Sequence, residues 1–182
     1  MNPIITTKRL ILRELNYDDV DGIFTLDSDP KVHEFLGNRP LVNLSQCVEI
    51  IDKVRQQYTK FGIGRWAMIE KESGEFVGWC GLKYVTEPFN KQQSYYDLGY
   101  RLIQKYWGKG YAKESSKAAL HYGFDAMKLK EIYAMAHVKN NRSIAIINGL
   151  GFVNRGTLLY DQSEHYWFTI TEHDFKLSNS ML

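Results

Sequence analysis

The sequence predicts an α/β (α+β) fold, with one mixed β-sheet and helices packed on both of its faces. Strand-like and helix-like segments follow one another in the order β-α-α-β-β-β-α-β-α-β-β, which is not the strict alternation of a purely parallel sheet. The 182 residues are 44% hydrophobic, and a chain of this length is enough for one domain with its own core. We therefore expect residues 1–182 to form a single domain.

The N-terminal part is expected to contain a strand and a short helix. Leu10 and Leu12 fall on one side of a strand over residues 8–14, with charged residues interleaved. A helix over residues 17–27 follows, because its first residues are acidic and favour the positive end of a helix dipole. Asp29-Pro30 then predicts a further helical turn, since proline is tolerated at the first helical position.

A longer helix is expected over residues 44–60, with Ser45 as its N-cap. Gly62 and Gly64 end this helix. Its apolar residues recur at steps of three and four, which predicts one buried face; they are Val48, Ile51, Val54 and Tyr58. The next three segments are β-like and are separated by turn residues; they cover residues 66–70, 76–84 and 94–103.

A second long helix is expected from about Gly110 to Met127. Its small and aromatic residues predict one buried stripe; they are Ala112, Ala119, Tyr122 and Ala126. The remaining pattern predicts a strand, a short helix and two further strands, over residues 132–138, 143–149, 152–160 and 166–175.

Composition narrows the class of protein. Lysine plus arginine number 23 and aspartate plus glutamate 21, and this net charge of +2 is too balanced for a dedicated nucleic-acid surface. There is no long apolar run for a membrane helix, and residues 1–4 lack the basic and apolar start of a signal peptide. Cys47 and Cys80 form no C-x-x-C pair, so we expect neither a disulfide scaffold nor a metal site. These features favour a cytoplasmic protein without nucleic-acid or membrane partners.

The segment Trp107-Gly108-Lys109-Gly110-Tyr111-Ala112 lies between a predicted strand and a predicted helix. Glycine allows the backbone to turn sharply and to approach a ligand closely. The helix that follows begins with unpaired N–H groups, and together these features make a phosphate cradle. The spacing fits neither the P-loop G-x-x-x-x-G-K-[ST] nor the dinucleotide fingerprint G-x-G-x-x-G. On its own the segment is equally compatible with a plain turn.

Three further segments accompany this glycine turn. The N-terminus contains T-x-R-L-x-L-R at residues 7–13, the third central strand contains Asp97-Leu98-Gly99-Tyr100, and an N-x-x-S step at Asn140 and Ser143 opens an apolar helix that closes on Gly151-Phe152. In this order and at these separations, the four segments resemble the GNAT acyl-CoA N-acyltransferases. The branch they resemble most is that of the ribosomal-protein N-terminal acetyltransferases. The resemblance runs from about Thr6 to about Phe175.

The resemblance implies a mostly antiparallel sheet in which two parallel strands, residues 94–103 and 131–138, splay apart to hold acetyl-CoA. The pyrophosphate of the cofactor is expected on the backbone of Gly108, Lys109, Gly110, Tyr111 and Ala112, with Trp107 covering it. The peptide-like pantetheine arm is expected along the backbone of Arg101 and Leu102 as an added strand. The N–H of Leu102 is the expected oxyanion donor.

The resemblance also implies roles for three side chains. Asn140 is expected to bind the pantetheine arm and Ser143 to give a proton to the leaving thiolate, although both residue types also suit a plain N-cap. Asp97 stands where relatives carry glutamate as a base, and the alternative is a carboxylate paired with a basic neighbour. His137 and His165 are the other candidate bases.

The expected activity is therefore transfer of an acetyl group from acetyl-CoA to a primary amine by direct attack, without a metal. The acceptor is expected to be the N-terminus of a ribosomal or other protein or peptide. A small amine such as a polyamine or an aminoglycoside-like antibiotic is the alternative acceptor, for which an acidic patch at residues 18–29 is a candidate. A non-catalytic acyl-CoA-binding module is the alternative class. The sequence leaves a monomer and a homodimer open.

Overall fold

The computed structural model describes residues 5–180, without the side chains of residues 179 and 180. Residues 1–4, on which the expectation about a signal peptide rests, and residues 181–182 lie outside this range, and the single domain over residues 1–182 stays a prediction. One eight-stranded sheet has the order β1-β2-β3-β4-β5-β6-β8-β7. Its strands are β1 (Ile5–Thr6), β2 (Leu10–Glu14), β3 (Trp66–Glu70), β4 (Phe76–Val85), β5 (Tyr95–Leu102), β6 (Glu131–His137), β7 (Val153–Tyr160) and β8 (Ser163–Thr171).

The helices lie on both faces of this sheet, as the sequence predicts. They are α1 (Val20–Asp27), α2 (Leu44–Phe61), α3 (Tyr111–His121), α4 (Asn141–Asn148) and α5 (Glu172–Ser180). Trp79 of β4 packs in a cluster with Ile23 of α1 and Ile51 of α2. The next residue, Cys80, lies 3.6 Å from Ser116 of α3, measured from Sγ to Oγ. Because successive side chains of a strand face opposite sides, α1 and α2 cover one face and α3 covers the other.

The pairing of β5 with β6 is the one parallel pairing among the described strands, and it is short. β5 pairs with β4 from Tyr95 to Leu102, and β6 pairs with β8 along its whole length. Between β5 and β6, in contrast, the register contains the single pair Asp97 and Tyr133. The two strands diverge beyond this pair, which confirms the splayed parallel strands and opens a gap in the sheet.

Helix α2 starts at Leu44 as predicted, but its N-cap and its buried face differ from the expectation. Its N-cap is Asn43 and not Ser45, because the Asn43 side chain accepts the N–H of Gln46 while the Gln46 side chain accepts the N–H of Asn43. This reciprocal capping box begins the helix at Leu44. Val48 is 36% exposed, and its neighbour Cys47 is buried in its place. The end of the helix at Gly62 agrees with the prediction.

The second long helix also differs from the expected regular stripe. The α-helix ends at His121, and a π-helical turn, Tyr122–Ala126, continues it. The wider turn changes which residues face the core, so that Phe124 is buried and Ala126 is exposed. Ala112 and Ala119 are buried as predicted.

The prediction of a last strand over residues 166–175 is wrong at its end. β8 stops at Thr171, and α5 begins at Glu172. The Thr171 hydroxyl donates to Asp174 Oδ2 (2.7 Å) and accepts the N–H of Asp174 (3.2 Å), which is the reciprocal pattern of a helix start. Phe175 then packs against Phe124, with ring centroids 5.2 Å apart. Residues 30–38 form hydrogen-bonded turns, and the N–H of His33 donates to the carbonyl of Asp29 over 3.3 Å, so the helical turn predicted at Asp29-Pro30 is confirmed.

Candidate active site

The edge of β5 that faces the gap exposes the backbone of Leu102. The N–H of Ile103 donates to the carbonyl of Val77 in β4, over 3.0 Å. Since backbone groups alternate along a strand, the N–H and C=O of Leu102 face the other way, into the gap. The Leu102 carbonyl accepts the indole N–H of Trp107 over 2.8 Å. The carbonyl of Arg101, in contrast, faces β4: a Cβ atom placed on Gly78 would lie only 2.1 Å from its oxygen.

The glycine turn leads from this edge into α3. Gly108 and Gly110 have φ angles of +75° and +82°, which L-residues other than glycine seldom adopt. Gly110 is the N-cap of α3, and the first helical hydrogen bond runs from the N–H of Glu114 to its carbonyl. The N–H groups of Tyr111 and Ala112 therefore precede the helical ladder. A Cβ on Gly108 would meet no atom within 4 Å, so the turn borders open space.

Two residues of the N-terminal motif T-x-R-L, Thr7 and Arg9, hold this turn in place. The Arg9 guanidinium donates to the carbonyl of Lys109 (2.8 Å) and to Glu114 Oε2 (2.7 Å), and it lies 4.4 Å from the centroid of Tyr111. The hydroxyl of Thr7 donates to Glu114 Oε1 over 2.7 Å. Burial raises the pKa of Glu114, but these hydrogen bonds outweigh it and hold that pKa below its ordinary value. Glu114 is therefore a carboxylate that fixes both Arg9 and the start of α3.

Trp107 links the turn to α4. Its indole N–H is bound to Leu102, and the Arg142 guanidinium lies 5.2 Å from its ring centroid. Stacking of arginine on an aromatic ring is a favourable cation–π arrangement. Arg142 is the second residue of α4, so the indole lies between β5 and the start of that helix. Trp107 thus adjoins both the glycine turn and the gap.

Asn140 and Ser143 lie together at the start of α4. The Asn140 side chain accepts the N–H of Ser143 over 3.1 Å, so the N-cap that the sequence suggests is confirmed. The Ser143 hydroxyl lies 2.9 Å from the hydroxyl of Tyr100 in β5. Burial raises the pKa of Tyr100 far above its ordinary value. No role for Tyr100 follows from the sequence, although the residue belongs to the Asp97–Tyr100 segment that contributed to the resemblance.

Asp97 lies on the opposite face of β5 from Tyr100. Its carboxylate is paired with the Arg65 guanidinium, which also donates to the carbonyls of Asp97 and Gly81. The basic partner that the alternative interpretation required is therefore present. Burial raises the pKa of Asp97, and the charge of Arg65 opposes that shift. Gly99 leaves room for this arginine, because a Cβ there would lie 2.6 Å from Arg65 Nη2.

The side chain of Arg101 lies on the same face as Asp97. It donates to the buried carboxylate of Asp27 over 2.5 Å, and its guanidinium lies 5.1 Å from the centroid of Trp79. His33 is buried beside this pair, with Nε2 3.5 Å from Asp27 Oδ1. Burial and the charge of Arg101 lower the pKa of His33. This cluster attaches the segment after α1 to the end of β5.

His137 and His165 lie side by side at the end of β6, with ring centroids 5.3 Å apart. His137 Nδ1 accepts the N–H of Lys139 (3.1 Å), so in the neutral ring Nε2 has the hydrogen. His165 Nδ1 lies 3.1 Å from the carbonyl of Ser163 and must donate to it, which leaves a lone pair on Nε2. Burial, then the nearby His165 and Lys139, lower the pKa of His137. With Nδ1 bound to the Ser163 carbonyl, His165 Nε2 is the nitrogen of this pair that is placed to accept a proton.

The segment between α1 and α2 spans the gap above these groups. Asp27 anchors it to Arg101 of β5, while the Phe35 ring lies 5.2 Å from that of His137 of β6. Arg39 donates to Asp161 in the β7–β8 turn over 2.8 Å. A group of aromatic rings with centroids 5.1–5.8 Å apart adjoins the same face; they are Phe89, Tyr95, Tyr133, Tyr160 and Trp167.

A glycine turn at a helix N-terminus beside an open strand edge is an arrangement that suits an acyl-CoA-dependent transferase. The acetyltransferase (GNAT) domain family matches residues 9–153, so the chain belongs to the GNAT acetyltransferases and is an acetyl-CoA-dependent N-acetyltransferase. The chain is 31% identical over 152 residues to the uncharacterized N-acetyltransferase p20 of Bacillus licheniformis, with 84% of this chain and 83% of that one covered.

Solved structures have the same fold. A putative ribosomal-protein-serine acetyltransferase from Vibrio cholerae has a TM-score of 0.74 at 17% identity, covering 93% of this chain and 98% of that one. A spermidine N-acetyltransferase from Vibrio cholerae, in complex with CoA and spermine, has a TM-score of 0.73 at 18% identity, covering 92% and 98%. The expected GNAT fold and the use of acetyl-CoA are confirmed.

No helix within residues 5–180 is long and apolar enough to cross a membrane. In that same range, no three side chains of histidine, cysteine, aspartate or glutamate are grouped in a way that would hold a metal ion.

Proposed function

We propose that acetyl-CoA binds along the gap between β5 and β6, with its pyrophosphate on the backbone of residues 108–112. The observation that carries this proposal is the continuity of the open Leu102 edge with the glycine turn, which begins only six residues later. The pantetheine amides pair with Leu102 as a short added strand. Trp107 covers the cofactor between them, Lys109 adds positive charge, and Asn140 meets the pantetheine arm. The backbone of Arg101, which was expected beside the pantetheine arm, faces β4 instead, so the part proposed for Arg101 is to hold Asp27, and with it the segment after α1, at the end of β5.

The proposed reaction is direct attack of an amine nitrogen on the thioester carbonyl carbon. A C–N bond forms, the carbonyl oxygen becomes negative, and the N–H of Leu102 stabilises it. The C–S bond then breaks, and the sulfur takes the hydroxyl proton of Ser143. The proton that the nitrogen releases restores that hydroxyl through water, so the products are an amide and CoA. A thiol has a pKa of about 8.5, so Ser143 assists departure without being indispensable.

The base has a modest task if the acceptor is an α-amine. A protonated α-amine has a pKa of about 7.7–8.0, so a useful fraction of the acceptor is neutral at physiological pH. Asp97 is the base that the family pattern favours, but its ion pair with Arg65 limits its availability. His165 is supported by its Nε2, which is placed to accept a proton. A water chain on the face shared by Asp97 and His165 connects either group to the acceptor in this proposal.

We propose the N-terminus of a protein or peptide as the acceptor, in keeping with the ribosomal-protein acetyltransferase branch. The acidic patch that a polyamine or an aminoglycoside needs is partly neutralised, because two of its five aspartates are paired with arginine. Arg13 donates to both oxygens of Asp19 at 2.8 Å, and Arg101 pairs with Asp27. An extended peptide is better suited than a polyamine to a surface with exposed apolar side chains. Such side chains are Leu36 (42% exposed), Val42 (77%) and Leu159 (71%).

A polyamine remains the second candidate acceptor, because a structurally similar protein is a spermidine N-acetyltransferase solved with spermine. The two acceptors make opposite demands on the site. A polyamine needs free carboxylates to balance its charges, while a peptide needs an apolar or hydrogen-bonding surface. A cytoplasmic location and a monomeric or homodimeric state complete the proposal.

The test is a transfer assay with radiolabelled acetyl-CoA and three acceptors. They are a peptide panel with free N-termini, the same peptides with formylated N-termini, and spermidine. We expect transfer to free N-termini and none to the blocked ones. Preferential labelling of spermidine would replace the proposed acceptor. Tight binding of acetyl-CoA without transfer to any amine would instead support the non-catalytic binding module.

A further inference from the structure

Tyr100 is the side chain in contact with the proposed proton donor. It lies in β5, two residues before Leu102 and on the same face of that strand. Its hydroxyl is 2.9 Å from Ser143 Oγ and 3.3 Å from the Ser143 carbonyl. Tyr100 and Ser143 are 43 residues apart in the chain, and their contact closes the space between β5 and the start of α4.

The Ser143 carbonyl can only accept, so the single Tyr100 hydrogen goes either to that carbonyl at 3.3 Å or to Ser143 Oγ, which is nearer at 2.9 Å and is therefore the favoured acceptor. Each hydroxyl has one hydrogen, so one oxygen of the pair donates and the other accepts. If Ser143 donated to Tyr100, its hydrogen would be used and the thiolate would receive none. If Tyr100 donates, Ser143 Oγ accepts and its own hydrogen is free to point into the gap. Burial keeps the Tyr100 hydroxyl protonated and therefore able to donate.

We propose that Tyr100 is a positioning residue, whose hydroxyl donates to Ser143 Oγ and directs the Ser143 hydrogen towards the sulfur of CoA. This inference rests on the proposed role of Ser143. The Tyr100 proton stays on its oxygen throughout. Its hydrogen bond stabilises the negative charge that grows on Ser143 Oγ as the proton leaves, because hydrogen-bonded groups polarise one another. Tyr100 thus acts on the departure of the thiolate and leaves the binding of acetyl-CoA unaffected.

The same strand offers a matched control. Tyr96 lies four residues earlier on the same face, is partly buried, and has its ring 4.8 Å from that of Tyr84. Tyr96→Phe and Tyr100→Phe each remove one phenolic oxygen and keep the ring in its packing position. A general effect of losing a tyrosine hydroxyl from β5 would appear in both variants.

The experiment measures steady-state kinetics for wild type, Tyr96→Phe, Tyr100→Phe, Ser143→Ala and the double variant at positions 100 and 143. A net hydrogen bond of 0.5–1.5 kcal/mol corresponds to roughly a 2- to 12-fold change in rate. We expect Tyr100→Phe to lower kcat by about that factor, with the KM for acetyl-CoA within twofold of wild type. The double variant should be no slower than Ser143→Ala, and Tyr96→Phe should match wild type.

Contrary outcomes are distinguishable. If Ser143→Ala lowers kcat while Tyr100→Phe does not, the inference fails and the proposed function stands. If the double variant is slower than Ser143→Ala by the full factor of Tyr100→Phe, the two residues act independently and the inference also fails. If Ser143→Ala has the kcat of wild type, the role of Ser143 fails together with the inference. Thermal melting of each variant verifies that the fold is retained.

Discussion

The glycine turn at the start of α3 allows a sharp test of the cofactor site. Gly108 and Gly110 have φ angles of +75° and +82°, and Gly62 at the end of α2 has one of +69°. An added Cβ meets nothing within 4 Å at Gly108 or Gly62, and at Gly110 it meets only Arg9 Nη2 at 3.4 Å. Alanine at any of the three positions therefore brings similar backbone strain, but Gly62 lies outside the cradle. Gly62→Ala is the matched control for Gly108→Ala and Gly110→Ala.

The expected magnitudes separate stability from binding. A non-glycine residue in the left-handed region costs roughly 1–2 kcal/mol, so all three variants should lose about that much free energy of unfolding. In a protein of this size, the loss lowers the melting temperature by about 2–8 °C. If the pyrophosphate binds at residues 108–112 as proposed, the cradle variants also misalign amides that donate to it, and one such hydrogen bond to a charged group contributes about 1.5–3 kcal/mol. This corresponds to roughly 10- to 150-fold weaker binding.

The assay is calorimetric titration with acetyl-CoA, preceded by thermal melting of every variant. We expect Gly62→Ala to bind as wild type does, while Gly108→Ala and Gly110→Ala bind at least tenfold more weakly. Equal loss of affinity in all three would mean that strain alone weakens the protein. Wild-type affinity in both cradle variants would refute the assignment of the pyrophosphate to residues 108–112.

Three further predictions follow from contacts around the site. Arg9→Met should raise the KM for acetyl-CoA about tenfold, because the Lys109 carbonyl loses its hydrogen bond from Arg9. Lys8→Met, at the exposed neighbouring position, should leave this KM unchanged; steady-state kinetics measures both. With a peptide acceptor, kcat/KM should rise about tenfold per pH unit below the amine pKa of ~7.7–8.0 and then level off, whereas an alkylamine of pKa ~10.4 would keep the profile rising. The pKa of buried His33, which Asp27 and Arg101 face, is lowered in the folded protein. The stability that depends on a neutral His33 is therefore present above pH ~6.5 and is lost as the pH falls. In denaturant unfolding, the free energy of unfolding of His33→Gln should depend less on pH than that of wild type.

Local sequence patterns predicted the elements that depend on neighbouring residues. The N-cap at Asn140, the glycine turn and the boundaries of β3, β4 and β5 are all set within a few residues of chain. The wrong predictions also concern interactions between residues that are only a few positions apart. The N-cap of α2 was assigned to Ser45 instead of Asn43, which forms a capping box with Gln46, and the end of β8 was misplaced because Thr171 and Asp174 form a similar reciprocal pair.

Contacts between distant segments were out of reach of such patterns. Arg9 and Glu114 are 105 residues apart, and Arg101 and Asp27 are 74 apart. Each residue looks like a solvated charge in its own segment, and only the folded sheet brings the partners together. The resemblance pointed to the T-x-R-L motif, but the physical reason for it appears in the hold of Arg9 on the Lys109 carbonyl.

The two faces of β5 explain how one strand serves both substrates. Side chains alternate along a strand, so Tyr100 points towards α4 and the proposed proton donor, while Asp97 and Arg101 point towards the face of α1 and α2. The backbone of Leu102 lies in the plane between them, at the gap. In the proposed binding mode, a thioester along this edge has its leaving sulfur next to the Ser143 side and its carbonyl carbon accessible from the other side. Attack on the Asp97 side and departure on the Ser143 side would then be separated, because β5 loses its parallel neighbour after one pair and its edge is open there.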